Sequence, residues 1–275
     1  MLSIHPQSQH VLEATIKELP HALLLTGASG VGLSTVASHY AKQFGGHVFT
    51  VLPERDEKVN LEKGVITVAS IRRLYDMTRT IEPQGRVVII DYAERMAPAA
   101  QNAFLKLLEE PTEGTHFILL THQPSSLLPT ITSRSQHVAL KPITKDQSLA
   151  LLDTLGVDDQ VRRTQLLFIA EGLPAELTRL TQDDKTFEAR AELVKDARSL
   201  VTGSPYDRLL LAKKYKDSRE NALTLISDAM KLLQKTIAVS GDGASLRMIT
   251  RLENIHKRLS EQGNVRLQLS ALVMV

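Results

Sequence analysis

Along the first 140 residues, apolar side chains arrive in short continuous runs, separated by stretches in which they recur every three or four positions. The runs are "ALLLT" (22–26), "HVFTVL" (47–52), "RVVIID" (86–91), "HFILLT" (116–121) and "QHVAL" (136–140). Continuous apolar strands interleaved with amphipathic helices predict a parallel sheet buried on both faces. Beyond "LKPIT" the runs stop, and apolar residues keep helical spacing, interrupted at "LGVDD", "EGLP", "TGSP", "SGDGAS" and "EQGN". Each interruption carries the Gly, Pro or Asp of a helix stop or start. The expected fold is therefore an α/β domain with a parallel sheet over residues 1–142, a small helical lid over 143–183, and an all-α domain over 184–275.

Composition narrows the setting. With 43% hydrophobic and 23% charged residues the chain reads as globular, not disordered. It has no cysteine, which excludes disulfides and thiolate metal sites, and its nine histidines show neither H-x-x-x-H nor H-E-x-x-H spacing. No metal site is expected. A cytoplasmic location is the expectation, because the N-terminus lacks a basic-then-apolar leader and no run reaches the roughly 18 apolar residues of a membrane span. Net charge is +2, but residues 185–275 carry 16 Lys/Arg against 10 Asp/Glu, a local +6 that leaves −4 elsewhere. Such asymmetry fits either a solvated helical face or a surface that meets DNA or an acidic partner.

The candidate chemistry begins at "GASGVGLS", residues 27–34, directly after the first apolar run. The pattern G-x-x-x-x-G-K-[ST] cradles nucleotide phosphates; Gly27, Gly32 and Ser34 are in register, with Gly30 between them, and Leu33 holds the lysine position. Backbone N–H groups at a helix N-terminus attract anions without the lysine, but the ammonium that reaches the β- and γ-phosphates is missing. The loop is either a weak nucleotide holder or a relic that keeps only its shape.

In "RVVIIDYAERM", Asp91 ends a buried strand where a carboxylate would hold Mg²⁺. Catalytic versions of this motif follow it with the glutamate that polarises the attacking water, and here that residue is Tyr92. Glu94, two positions on, is expected to cap or line the following helix or to be a surface charge. The absence of both the lysine and the glutamate argues that the chain does not hydrolyse ATP.

The ordered strings "LPHALLLTGASGVGLST", "VASIRRLYD", "RVVIIDYAERM", "AQNAFLKLLEEPTEGTHFILLTHQPSSLLPTITSRSQHVAL" and, more loosely, the closing "RLSEQGNVRLQLSALVMV" resemble the clamp-loader branch of the AAA+ ATPases over nearly the whole chain. "NAFLKLLEEP" (102–111) followed by "FILLT" and "LLPTITSRS" is the most specific part, since periodicity alone would not demand it.

The resemblance implies one member of a five-subunit ring that places a sliding clamp on primer–template DNA, as part of the bacterial DNA polymerase III holoenzyme. The implied partners are the loader's gamma/tau and delta subunits. The family's serine–arginine–cysteine motif falls on Ser133, Arg134 and Ser135, making Arg134 the implied arginine finger for a neighbour's γ-phosphate. Thr121 falls on the sensor position at a strand end, and Ala175, in "EGLPAEL", stands where active relatives carry a second sensor arginine. The degenerate ATP/Mg²⁺ site would comprise Gly27, Gly30, Gly32, Ser34, Asp91 and Thr121, with no cofactor required and at most weak ATP or ADP bound. The four-cysteine zinc module of many bacterial relatives is absent, and "PERDEKVNLEKG" occupies that region. Two alternatives stay open: an active ATPase motor subunit of the same ring, and a AAA+ adaptor outside replication.

Overall fold

The five apolar runs pair as one parallel sheet in the computed structural model, which describes residues 2–44, 46–61, 63–240 and 243–273. The strands are β1 (Ala22–Gly27), β2 (His47–Val51), β5 (Arg86–Ile90), β6 (Thr115–Thr121) and β7 (Gln136–Leu140), and they lie in the order β2-β5-β6-β1-β7. A two-stranded antiparallel hairpin, β3 (Glu54–Arg55) with β4 (Lys58–Val59), fills the "PERDEKV" stretch.

Period-2 alternation splits the central strands between two cores. Leu23 and Leu25 of β1 join Val87, Ile89, Ile118 and Leu120 beneath helices α1 (Pro6–Lys17) and α2 (Leu33–Gln43). Leu24, Val88, Ile90, Phe117 and Leu119 face the other way, against α3 (Val68–Thr78) and α4 (Pro98–Glu109). There Phe104 meets Phe117 edge-to-face, with ring centroids 5.3 Å apart. Burial on both faces holds for β1, β5 and β6, but not for β2. As an edge strand, β2 leaves His47, Val48 and Thr50 exposed, despite its apolar sequence.

The chain divides into two compact units, Met1–Thr181 and Gln182–Val275. The first also holds α5 (Pro129–Thr132), α6 (Lys145–Thr154) and α7 (Gln160–Ala170), and α8 (Pro174–Gln182) closes it. The second is helical: α9 (Asp184–Thr202), α10 (Pro205–Lys214), α11 (Arg219–Ser240), α12 (Gly243–Ser260) and α13 (Val265–Ser270). The sequence interruptions become helix starts. Asp159 caps α7, Ser204 and Asp207 form a capping box on α10, Asn264 caps α13, and Pro174 opens α8. Part of "SGDGAS" lies outside the described residues, as do the last two residues of the closing string.

The helical unit has its own core, in which Leu200, Leu225, Ile226, Leu252, Leu259 and Leu272 are almost fully buried. A partly buried ion pair, Arg190 to Asp228 at 2.8 Å, ties α9 to α11. Lys214 bonds Glu192 and Asp196, and the Tyr215 hydroxyl donates to Asp196 at 2.6 Å. Burial opposes the Lys214 charge, but its hydrogen bonds to Asp196 and Glu192 outweigh that and hold the ammonium pKa above its usual value. Burial, with Asp196 beside it, likewise pushes the Tyr215 phenol up.

Candidate nucleotide-loop site and its exposed arginine

Strand β1 delivers Gly27 at its C-terminal end, and the chain then turns, with Val31 N–H bonded to the Ala28 carbonyl, before α2 begins at Leu33. Gly32 caps that helix at φ 89°, a left-handed conformation that a Cβ would disfavour. The amides of Gly32, Leu33, Ser34 and Thr35 have no acceptor among the described residues, as expected for the first turn of a helix. The backbone therefore retains the shape of a phosphate cradle.

The side chains do not complete it. Leu33 is only 3% exposed and packs in the α2-side core with Val31, Val36 and Leu140, so the lysine position has been absorbed into the hydrophobic interior. Ser34 Oγ donates to Asp91 Oδ2 at 2.6 Å, and Asp91 Oδ1 accepts from the Tyr92 N–H at 2.9 Å. The carboxylate is thus held by the protein's own donors. Tyr92 itself sits at φ 54°, an unusual conformation for a bulky residue, with its ring edge-on to His122 and beneath the Arg95 guanidinium. The residues present fit an oxyanion at the backbone amides but do not fit a magnesium triphosphate, for which no cationic side chain is provided at 33 or 175.

Three further contacts define the loop's surroundings. His122 Nδ1 lies 2.8 Å from the Gly27 carbonyl, which can only accept, so this nitrogen carries the hydrogen. Thr26 Oγ1 is 2.6 Å from His137 Nε2. The Gly30 carbonyl accepts from both Ala175 N–H (2.9 Å) and Glu176 N–H (3.3 Å), donors that the first turn of α8 would otherwise leave unpaired. Gly30 is at φ 87°, and a methyl there would stand 2.9 Å from Glu176 Cβ. Glu176 is in turn clamped by Arg179 through two bonds of 2.8 and 2.9 Å.

The structure therefore brings Gly27, Gly30, Gly32, Ser34 and Asp91 around one loop. Thr121 is almost fully buried on the strand beside β1, directly paired with Thr26, and its hydroxyl accepts the Gln123 N–H at 3.0 Å. Glu94 differs from expectation. It belongs to a 3-10 turn over Ala93–Arg95 and is partly buried, with Oε2 lacking a partner; α4 instead starts after Ala97 with no side-chain cap. Sequence reasoning did not mark His122 or His137, which reach Gly27 and Thr26 from distant segments, nor Glu176, although its neighbour Ala175 was singled out.

Arg134 lies apart from the loop, after α5 and before β7, with its side chain 40% exposed. Its Nη2 meets Glu109 Oε1 at 3.0 Å and its Nη1 donates to the Thr130 carbonyl at 3.3 Å. Ser133 and Ser135 turn their hydroxyls back to the carbonyls of Thr130 and Ile131.

Residues 50–144, spanning the Asp91 turn, Thr121 and Arg134, match the family described as DNA polymerase III, delta subunit. The chain is 33% identical over 208 residues to DNA polymerase III subunit delta' of Pseudomonas aeruginosa, covering 66% of this chain and 61% of the relative. It is 25% identical over 287 residues to human replication factor C subunit 5, covering 93% of this chain and 81% of the relative. The chain belongs to the AAA+ clamp-loader family. The fold agrees with that membership: a DNA polymerase III gamma subunit-related protein of Thermotoga maritima superposes with a TM-score of 0.54 at 19% identity, over 97% of each chain. The chain spans less than two thirds of the length of the bacterial DNA polymerase III delta' subunits it matches, 61% and 64% for the Pseudomonas aeruginosa and Bacillus subtilis proteins. Among the described residues no helix is long and apolar enough to cross a membrane, and no group of three or more His, Asp or Glu could hold a metal ion.

Proposed function

We propose that this chain is the delta-prime-type member of a bacterial DNA polymerase III clamp loader, a subunit that does not turn over ATP and lends Arg134 to a neighbouring ATPase. Its partners on this reading are the gamma/tau and delta subunits, and through the assembled ring the sliding clamp and primer–template DNA. The observation that carries the reading is the burial of Leu33. A position that must present a cation to phosphate is instead committed to the core, and the water-activating position holds Tyr92 in place of an acid.

Arg134 supports the second half of the proposal. Its guanidinium is exposed, is anchored at two nitrogens, and keeps its remaining N–H donors free of described partners, a state suited to meeting phosphate oxygens from another chain. The helical unit supports assembly, since it folds around its own core yet exposes Tyr206, Leu209, Leu210 and Leu267.

Reconstitution with cognate gamma/tau and delta tests the reading. The isolated chain should show no ATP turnover. Arg134→Ala should assemble normally, lower the ATPase rate of the ring by the share of one site, and impair clamp loading more than bulk hydrolysis. Arg134→Lys should restore little, because a point charge does not reproduce the planar fork of donors. ATP hydrolysis by the isolated chain, or an assembled Arg134→Ala ring with unchanged ATPase and loading, would overturn it.

A further inference from the structure

The geometry points to Glu109 as the residue that positions Arg134 for its neighbour, an inference that rests on the arginine-finger reading above. Glu109 is the last residue of α4, and Glu110 follows it. Carboxylates are disfavoured there, because the unpaired carbonyls at a helix C-terminus already carry partial negative charge. Besides Lys106 in the same last turn, a cation comes from another segment: Arg134 Nη2 lies 3.0 Å from Glu109 Oε1.

The choice of cation is specific. Glu109 lines a cavity of about 670 Å³ together with Tyr75, Arg79 and Lys106. Both of those cations are within the same groove, yet among the described ion pairs the Glu109 carboxylate is matched with Arg134, while Arg79 pairs with Asp76. A second anchor acts on the opposite side of the guanidinium, where the Thr130 carbonyl accepts from Nη1 at 3.3 Å. An ion pair from α4 and one hydrogen bond from α5 thus hold the guanidinium from separate elements. Among the described hydrogen bonds the guanidinium gives only one, from Nη1 to Thr130, so most of its N–H donors are left for a neighbour. Without Glu109 the guanidinium keeps one weak tether and regains its rotamer freedom, which a neighbour's phosphate must then restrict at each turnover.

The pair is solvent-accessible, at 40% exposure for Arg134 and 52% for Glu109, so its effect belongs to function more than to folding. Glu109→Gln keeps the shape and an acceptor oxygen but removes the charge. In the ring reconstituted with cognate gamma/tau and delta, Glu109→Gln should lower kcat at the site next to this subunit by about two- to five-fold, the range an exposed ion pair supports. KM for ATP and the melting temperature should hardly move, and the loss should shrink as salt is raised.

The decisive comparison is the double variant. If Glu109 works through Arg134, Glu109→Gln added to Arg134→Ala should cost nothing further. An Arg134→Ala defect with no Glu109→Gln defect would overturn the positioning role while leaving the finger intact. Additive losses, or a higher rate in Glu109→Gln, would also overturn it. Wild-type behaviour of Arg134→Ala itself would remove the finger reading and this inference together.

Discussion

Ser34 gives its hydroxyl hydrogen to Asp91 across 2.6 Å, so the two groups that would flank a nucleotide-bound cation face each other instead. A nucleotide bound there must supply its own charge compensation, because Leu33 brings none. Hydrogen bonds to charged groups are each worth about 1.5–3 kcal/mol, so losing the lysine contact alone should weaken ATP by one to two orders of magnitude. Calorimetry on the isolated chain should find weak or no ATP binding; tight, magnesium-dependent binding would contradict this.

Putting the lysine back should not restore an enzyme. Leu33 contributes to the core beneath α2, and an ammonium there is desolvated without a carboxylate partner. Leu33→Lys is expected to lose about 2 kcal/mol or more, seen as a fall of several degrees in Tm. Some phosphate affinity can return, but turnover should stay negligible while Tyr92 occupies the acid position.

Gly30→Ala probes the junction between the loop and α8. The substitution places a Cβ at a left-handed φ and 2.9 Å from Glu176 Cβ, a backbone-near atom with little freedom to retreat. A loss of about 1–3 kcal/mol is expected. Hydrogen exchange at the Ala175 and Glu176 amides should accelerate beyond the change caused by a control substitution at Ser29. Unchanged protection at those two amides would show that the junction does not depend on Gly30.

Alkaline stability follows from the cluster on α9 and α10. Lys214 and the adjoining Tyr215 both have folded-state pKa values above their unfolded ones, so the folded form binds more protons at high pH. Their contribution is fully present below the unfolded values near pH ~10 and is lost as pH rises through the raised ones. Thermal melts should show unit-two stability declining above pH ~10. Tyr215→Phe should reduce that decline.

A chain ending at residue 183 should remain folded, since the sheet and its two cores lie within residues 1–181. It should fail to join the ring in size-exclusion chromatography with the partner subunits. Normal assembly of the truncated chain would place the ring contact elsewhere.

The sheet was legible because its strands are written as continuous apolar runs, and the helix starts because caps are local chemistry. The exposure of β2 was not, since "HVFTVL" reads like a central strand and only strand order makes it an edge. For the site, the glycines, Ser34, Asp91 and the missing lysine lie in register along the chain. What Leu33 packs against, and which groups hold Gly27 and Gly30, depends on segments far along the chain, while Arg134 is held by Glu109 and Thr130 in a way that no spacing rule records. Glu94 shows the opposite failure. A plausible local role, helix capping, was displaced by a 3-10 turn that ends before α4 begins.

The Gly30 carbonyl and the two α8 amides form a joint made wholly of main-chain atoms. A side-chain latch is lost by a single codon change; this one is indifferent to the identity of residues 175 and 176, apart from proline, which removes the donor. Substitutions at the start of α8 can therefore accumulate while the loop stays joined to that helix by the same two bonds.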